Sequence, residues 1–170
     1  FNMIIAQLEI PAASPKSKVF QTVGLTEISV EYSRPSVKNR NIFGSLVPYD
    51  KIWRTGADES TKISFSDDVL INSAIVKAGT YSLYTIPNKN YWDIIFYDET
   101  DAWGVPRNWD EKKVILKTRV DSYNLPESIN AETLQIFFDN LSNDAAVIAI
   151  LWDHTSVSYT HLRAHETDLN

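Results

Sequence analysis

Between residues 25 and 152 the apolar side chains of this chain recur at every second position, segment after segment. Successive side chains of a β-strand point to opposite faces, so this alternation buries one face and wets the other. A helix cannot use it. Over 25–32, Ile28, Val30 and Tyr32 share one face while Glu27, Ser29 and Glu31 share the other, and Pro35 ends the run. The pattern returns over 61–66, turns at Asp67 and Asp68, and resumes over 69–71. Segments 80–86 and 91–97, rich in aromatic and β-branched residues and separated by Pro87, Asn88, Lys89 and Asn90, form the strongest hairpin signal. Further strands are expected over 113–120, 133–138 and 146–152, with long irregular segments over 36–51 and 98–112. Residues 127–134 allow one short helical turn, and no apolar 3.6-residue period lasts beyond about two turns. These strands and turns predict an all-β fold with little helix: a single antiparallel β-sandwich, jelly-roll-like or immunoglobulin-like.

The length of 170 residues fits one such domain, expected over 11–156, and 44% hydrophobic residues suffice for its core. A net charge of -6 leaves no basic excess to neutralise phosphates, so no nucleic-acid partner is expected. No stretch approaches the roughly 20 apolar residues of a membrane-spanning helix, so no transmembrane segment is expected either. With no cysteine, the chain has no disulfide, thiolate metal site, iron–sulfur cluster or cysteine nucleophile. The sequence contains no G-x-S-x-G, S-x-x-K or H-E-x-x-H and no glycine-rich phosphate loop, so no cofactor and no metal are expected.

The two ends read differently from the middle. Phe1, Met3, Ile4, Ile5 and Ala6 form an uncharged apolar run that resembles the end of a signal peptide over residues 1–6, with cleavage after Ala6. That predicts an extracytoplasmic protein, in the periplasm, at the cell surface or secreted. Residues 157–167 resemble a frame translation of the transposon adapter used in sequencing libraries, so 157–170 is read as a non-native tail. His161 and His165 have the spacing of helical metal ligands but fall inside that tail and are set aside. Residues 160–170 are expected to fray, while 157–159 can extend an edge strand by backbone pairing.

The side chains most suited to chemistry are Arg34, Arg40, Trp53, Arg54, Asp58 and Glu59, placed at strand ends and in loops near Gly44 and Gly56. Guanidinium groups present fixed donor forks to carboxylate, phosphate or sulfate, and an indole offers a flat face to a sugar ring. Alternatively Arg34 and Arg54 tie loops to the sheet through Asp58 and Glu59, and Trp53 fills the core. A second group, Asp98, Glu99, Asp101, Trp103, Trp109 and Asp110, clusters oxygen atoms but lacks the EF-hand order, so it reads as a solvated acidic loop. His154 beside Asp153 reads as structural.

The motifs Tyr32-Ser33-Arg34-Pro35-Ser36-Val37-Lys38, Trp53-Arg54-Thr55-Gly56-Ala57 and Ala78-Gly79-Thr80-Tyr81-Ser82-Leu83-Tyr84-Thr85-Ile86-Pro87 together resemble a secreted family of Gram-negative bacteria catalogued only as a domain of unknown function. The chain departs from that pattern at Asp58, where similar sequences carry Asn. The resemblance implies export and a single β-rich domain. Missing catalytic motifs beside an arginine- and tryptophan-bearing cluster suggest a non-enzymatic binding or interaction module for an anionic or carbohydrate small ligand. The alternatives are a carboxylate-dependent glycan hydrolase using Asp58 and Glu59, which needs only two acids at a suitable separation, and a purely structural domain.

Overall fold

The structure, a computed structural model, describes residues 10–164, with side chains described through Tyr159. The expected cleavage point after Ala6 and the final residues 165–170 lie outside this range. The strands are β1 (Lys16–Val23), β2 (Thr26–Ser33), β3 (Thr61–Phe65), β4 (Val69–Ile71), β5 (Ala74–Val76), β6 (Gly79–Pro87), β7 (Tyr91–Tyr97), β8 (Val114–Asn124), β9 (Ala131–Asp139), β10 (Ala145–Asp153) and β11 (Thr155–Ala164). The one helical element among the described residues is a 3₁₀ turn, Glu111–Lys113, whose first turn is capped by the Asp110 carboxylate accepting from the Lys112 N–H. Residues 127–134 instead turn and then enter β9, because Leu134 and Ile136 are needed on the core-facing side of a strand.

The fold is all-β and antiparallel. Its strands follow one path, β1-β2-β3-β6-β7-β8-β11-β10-β9, and β4 joins the end of β11 while pairing with β5. The order β8-β11-β10-β9 is a Greek key, built because the connection over 125–130 passes the β10–β11 turn. There the Leu125 N–H donates to the His154 carbonyl (2.7 Å), and a His154 ring nitrogen meets the Ile129 carbonyl (2.7 Å). His154 is therefore a fastening for this crossing.

The path curls until its two ends nearly meet, giving a near-closed barrel. An open sheet edge exposes unpaired backbone groups, and the outer edge of β9 would do so. Segment 32–37 covers it. The Val37 N–H donates to the Glu132 carbonyl (2.7 Å) and the Leu134 N–H to the Pro35 carbonyl (3.0 Å). Side chains finish what the backbone begins: the Ile136 N–H donates to the Tyr32 hydroxyl (2.9 Å), and Arg34 Nε donates to the Leu134 carbonyl (2.9 Å). Proline suits this position because it lacks only a donor, and here its acceptor is the group required.

Inside lie Ile28, Val30, Ile63, Leu83, Ile94 and Ile148, all fully buried. At one end of the interior Phe43, Trp53, Trp92 and Trp152 pack together, with Trp53 and Trp152 stacked at 5.8 Å. A smaller cluster lies on the opposite face of β6 and β7, where Tyr84, Ile95 and Tyr97 are covered by the loop after β7. Trp109 from that loop stacks on Tyr97 at 4.2 Å, and the Tyr84 hydroxyl donates to the Gly104 carbonyl (3.1 Å).

The expected fraying from Thr160 is corrected over 160–164. β11 continues to Ala164, pairs with β10 as far as Arg163, and pairs with β4 through Leu162, Arg163 and Ala164. It is an internal strand with Val157 and Tyr159 buried, because backbone pairing on both sides holds it.

Candidate functional site

The loop from Trp53 to Thr61 is built around an anchored tryptophan. Trp53 and Thr85 exchange backbone hydrogen bonds (2.8 and 2.9 Å), which fastens the loop to β6 and sends the indole into the aromatic cluster. Indole Nε1 then donates to the Gly56 carbonyl (3.1 Å), closing the turn from inside. Thr55 occupies the left-handed region at φ 56°, unfavourable for a β-branched residue by about 1–2 kcal/mol. Its surroundings hold it there. The side chain is fully buried, its hydroxyl lies 3.1 Å from the Thr85 hydroxyl, and its carbonyl accepts from Thr61 Oγ1 (2.8 Å). A Cβ at Gly56 would stand 3.0 Å from the Ser33 carbonyl oxygen, closer than an ordinary van der Waals contact, so glycine suits this position.

This fold of the loop leaves Arg54, Asp58 and Glu59 half-buried at the surface. It also brings up a second loop: the Ser60 N–H donates to the Ala102 carbonyl (3.3 Å), and Glu59 forms a β-bridge with Trp103. The indole of Trp103 is 73% exposed, so the flat face available to a ligand is this one, whereas Trp53 is 8% exposed and belongs to the core. Glu59 of the first group of candidates and Trp103 of the second thus meet at one surface.

The charged residues have different fates. Glu59 bridges Lys16 (3.1 Å) and Lys62 (3.9 Å). Neither arginine holds it, so the expected Arg34 and Arg54 ties to Asp58 and Glu59 are not the ones formed. Arg34 instead closes the barrel seam, adding a bond from Nη2 to Thr133 Oγ1 (2.9 Å). Arg40 donates to the Val37 and Ser36 carbonyls and braces its own loop. Arg54 Nε is buried with no hydrogen-bond partner among the described residues. Asp58, at φ 60°, likewise makes no hydrogen bond or ion pair among them. A small cavity beside Glu59, bounded by Lys16, Ser33 and Ser60, has about 10 Å³, room for about one water.

In the acidic loop, Glu99 pairs with Lys113, and that hydrogen bond raises the pKa of the ammonium group. Trp109 is packed on tyrosines, and Asp110 is a cap. No group of three histidine or acidic side chains among the described residues could hold a metal.

Together these features define an antiparallel, near-closed β-barrel domain carrying a charged, tryptophan-bearing loop surface, without an obvious catalytic constellation among the described residues. The chain belongs to the family described as a protein of unknown function (DUF2911), whose family model matches residues 14–160. No curated protein and no solved structure matches it. The described residues contain no helix long and apolar enough to cross a membrane.

Proposed function

We propose that this protein is a non-enzymatic binding module that takes a small anionic ligand, such as a sugar acid, on the surface formed by Arg54, Asp58, Glu59 and Trp103. The observation that carries this reading is Arg54. Its neighbours Arg34 and Arg40 are spent on carbonyls, while the guanidinium of Arg54 has a buried donor with no partner among the described residues. Nε itself is closed to a ligand, but the half-buried guanidinium makes no hydrogen bond or ion pair among the described residues, so its outer N–H groups are free to donate to a carboxylate or phosphate oxygen. Trp103 supplies the stacking face for a sugar ring, and Asp58 supplies an acceptor for its hydroxyls. The hydrolase alternative has less support, because Glu59 is engaged by two lysines and the cavity beside it admits no sugar.

The apolar run at residues 1–6 supports export, and we place the module outside the cytoplasm. The Greek-key order β8-β11-β10-β9 supports grouping the fold with sandwiches, β8 being shared between two layers. Thermal denaturation with glucuronate, inorganic phosphate and glucose tests the binding proposal. Saturating an anionic ligand at a hundred times its Kd adds about 2.7 kcal/mol, and the Arg54→Met variant should lose that shift. No shift with either anion, or an equal shift in Arg54→Met, would leave the purely structural reading in its place.

A further inference from the structure

A second opening in the barrel carries different chemistry. β8 and β11 pair only where Ser122, Tyr123 and Asn124 meet Val157, Ser156 and Thr155. Beyond that point they part, since β8 stays with β7 while β11 follows β10 and then receives β4. The break leaves a cleft of about 400 Å³, within the ~300–1,000 Å³ usual for small-molecule sites. Asn72, Arg119, Asp121, Tyr123 and Ser158 line it.

We propose that this cleft binds a small neutral saccharide. Its polar groups are held in place before any ligand arrives. Arg119 forms a two-pronged pair with Asp93 (2.7 and 3.1 Å), and its guanidinium carbon lies 3.9 Å from the centre of the Tyr91 ring. A fork fixed on both sides still has N–H groups to spare, because Arg carries five and the pair uses two. Asn72 sits at φ 47° in the β4–β5 turn and is tied across the break by donating to Thr118 Oγ1 (2.8 Å).

Charge decides the ligand class. The cation of Arg119 is matched by Asp93, with Lys117 at 3.9 Å from the same carboxylate, and Asp121 adds an anion at the rim. An anionic ligand would meet Asp121 and a cationic one would meet Arg119 and Lys117. A hydroxyl both donates and accepts, and the lining offers donors and acceptors in alternation: Arg119, Asp121, Asn72 and Ser158. Tyr123, 59% exposed, presents an aromatic face to the C–H side of a sugar ring.

Titrating the isotope-labelled protein with N,N′-diacetylchitobiose, cellobiose and maltose, each to ~10 mM and watching backbone amide resonances, tests the proposal. The expected result is saturable shifts at Asn72, Asp121 and Tyr123 with at least one of them. Tyr123→Ala and Asn72→Ala should each weaken that binding at least fivefold. Tyr123→Ala should leave the melting temperature unchanged, since its side chain is exposed, whereas Asn72→Ala should lower it by losing the Thr118 hydrogen bond at a positive φ. Arg54→Met should leave it unchanged, which separates this site from the loop surface around Trp103. Absence of saturable shifts with all three sugars, sugar-induced shifts centred on Trp103, unaltered binding in both cleft variants, or tighter binding of glucuronate than of any neutral sugar at Asn72, Asp121 and Tyr123 would each overturn the proposal.

Discussion

Replacing Tyr32 by Phe isolates the contribution of one hydroxyl to the closure of the barrel. The ring is 4% exposed and stays in place, so no cavity larger than an oxygen atom opens. What is lost is the acceptor of the Ile136 N–H at 2.9 Å and a weaker contact to the Ile136 carbonyl at 3.4 Å. Ile136 is 1% exposed, so water does not readily take over. An unsatisfied buried backbone group costs about 1–3 kcal/mol. In a chain of this size each kcal/mol moves the melting temperature by about 2–4 °C, giving a fall of ~2–12 °C. Urea unfolding should show a lower midpoint with an unchanged slope, because the surface exposed on unfolding is the same. Hydrogen exchange should locate the effect at the Ile136 amide. A midpoint within about 0.5 kcal/mol of the parent, together with an equally protected Ile136 amide, would refute closure by side chains.

Gly56→Ala should destabilise by about 1–3 kcal/mol in chemical denaturation, since the added Cβ meets the Ser33 carbonyl at 3.0 Å and Thr61 Oγ1 at 3.1 Å and neither is a loose chain end. Burial pushes the phenol pKa of Tyr159 and Tyr84 upward from the ordinary 10.0. Folded pKa values above the unfolded ones give a contribution that is full below pH 10 and lost as pH rises beyond it, so ultraviolet titration should show these two phenols ionising only as circular dichroism reports unfolding. Truncation after Tyr159 removes the partner that β4 finds in Leu162, Arg163 and Ala164, and exchange protection over 69–76 should fall. Unchanged protection there would mean that β4 and β5 are held by side-chain packing alone.

Much of the sheet could be read from the alternation of side chains, because β2, β6, β7 and β10 carry apolar residues at a strand's period. β1 could not. Phe20 is 58% exposed on this edge strand, while Ser17 and Gln21 are half-buried, so polarity there does not track burial. β4 and β5 are three residues each; β4 was legible from its apolar neighbours, but β5 is too short to display a period. The site was legible in residue type but not in role. Arg34 looked like a binding residue because its acceptors lie 99 and 100 residues away in β9. Trp53 and Trp103 are alike in sequence, and only the Trp53–Thr85 bridge and the stack on Trp152 make one of them core. Glu59 and Trp103 are neighbours through a bridge between loops that no local pattern encodes.

The seam between segment 32–37 and β9 also has a temporal meaning. Its contacts join residues 104 apart, as between Tyr32 and Ile136, whereas most strands on the path pair with close neighbours in the chain. Contacts of such separation are made after the local hairpins have formed, since the entropy of closing a long loop opposes them until enough of the sheet exists to hold both ends. They should therefore be largely absent from the folding transition state, so Tyr32→Phe is expected to accelerate unfolding while leaving the folding rate nearly constant. The Tyr-x-Arg-Pro-x-Val segment acts as a latch that sets how long the closed barrel persists.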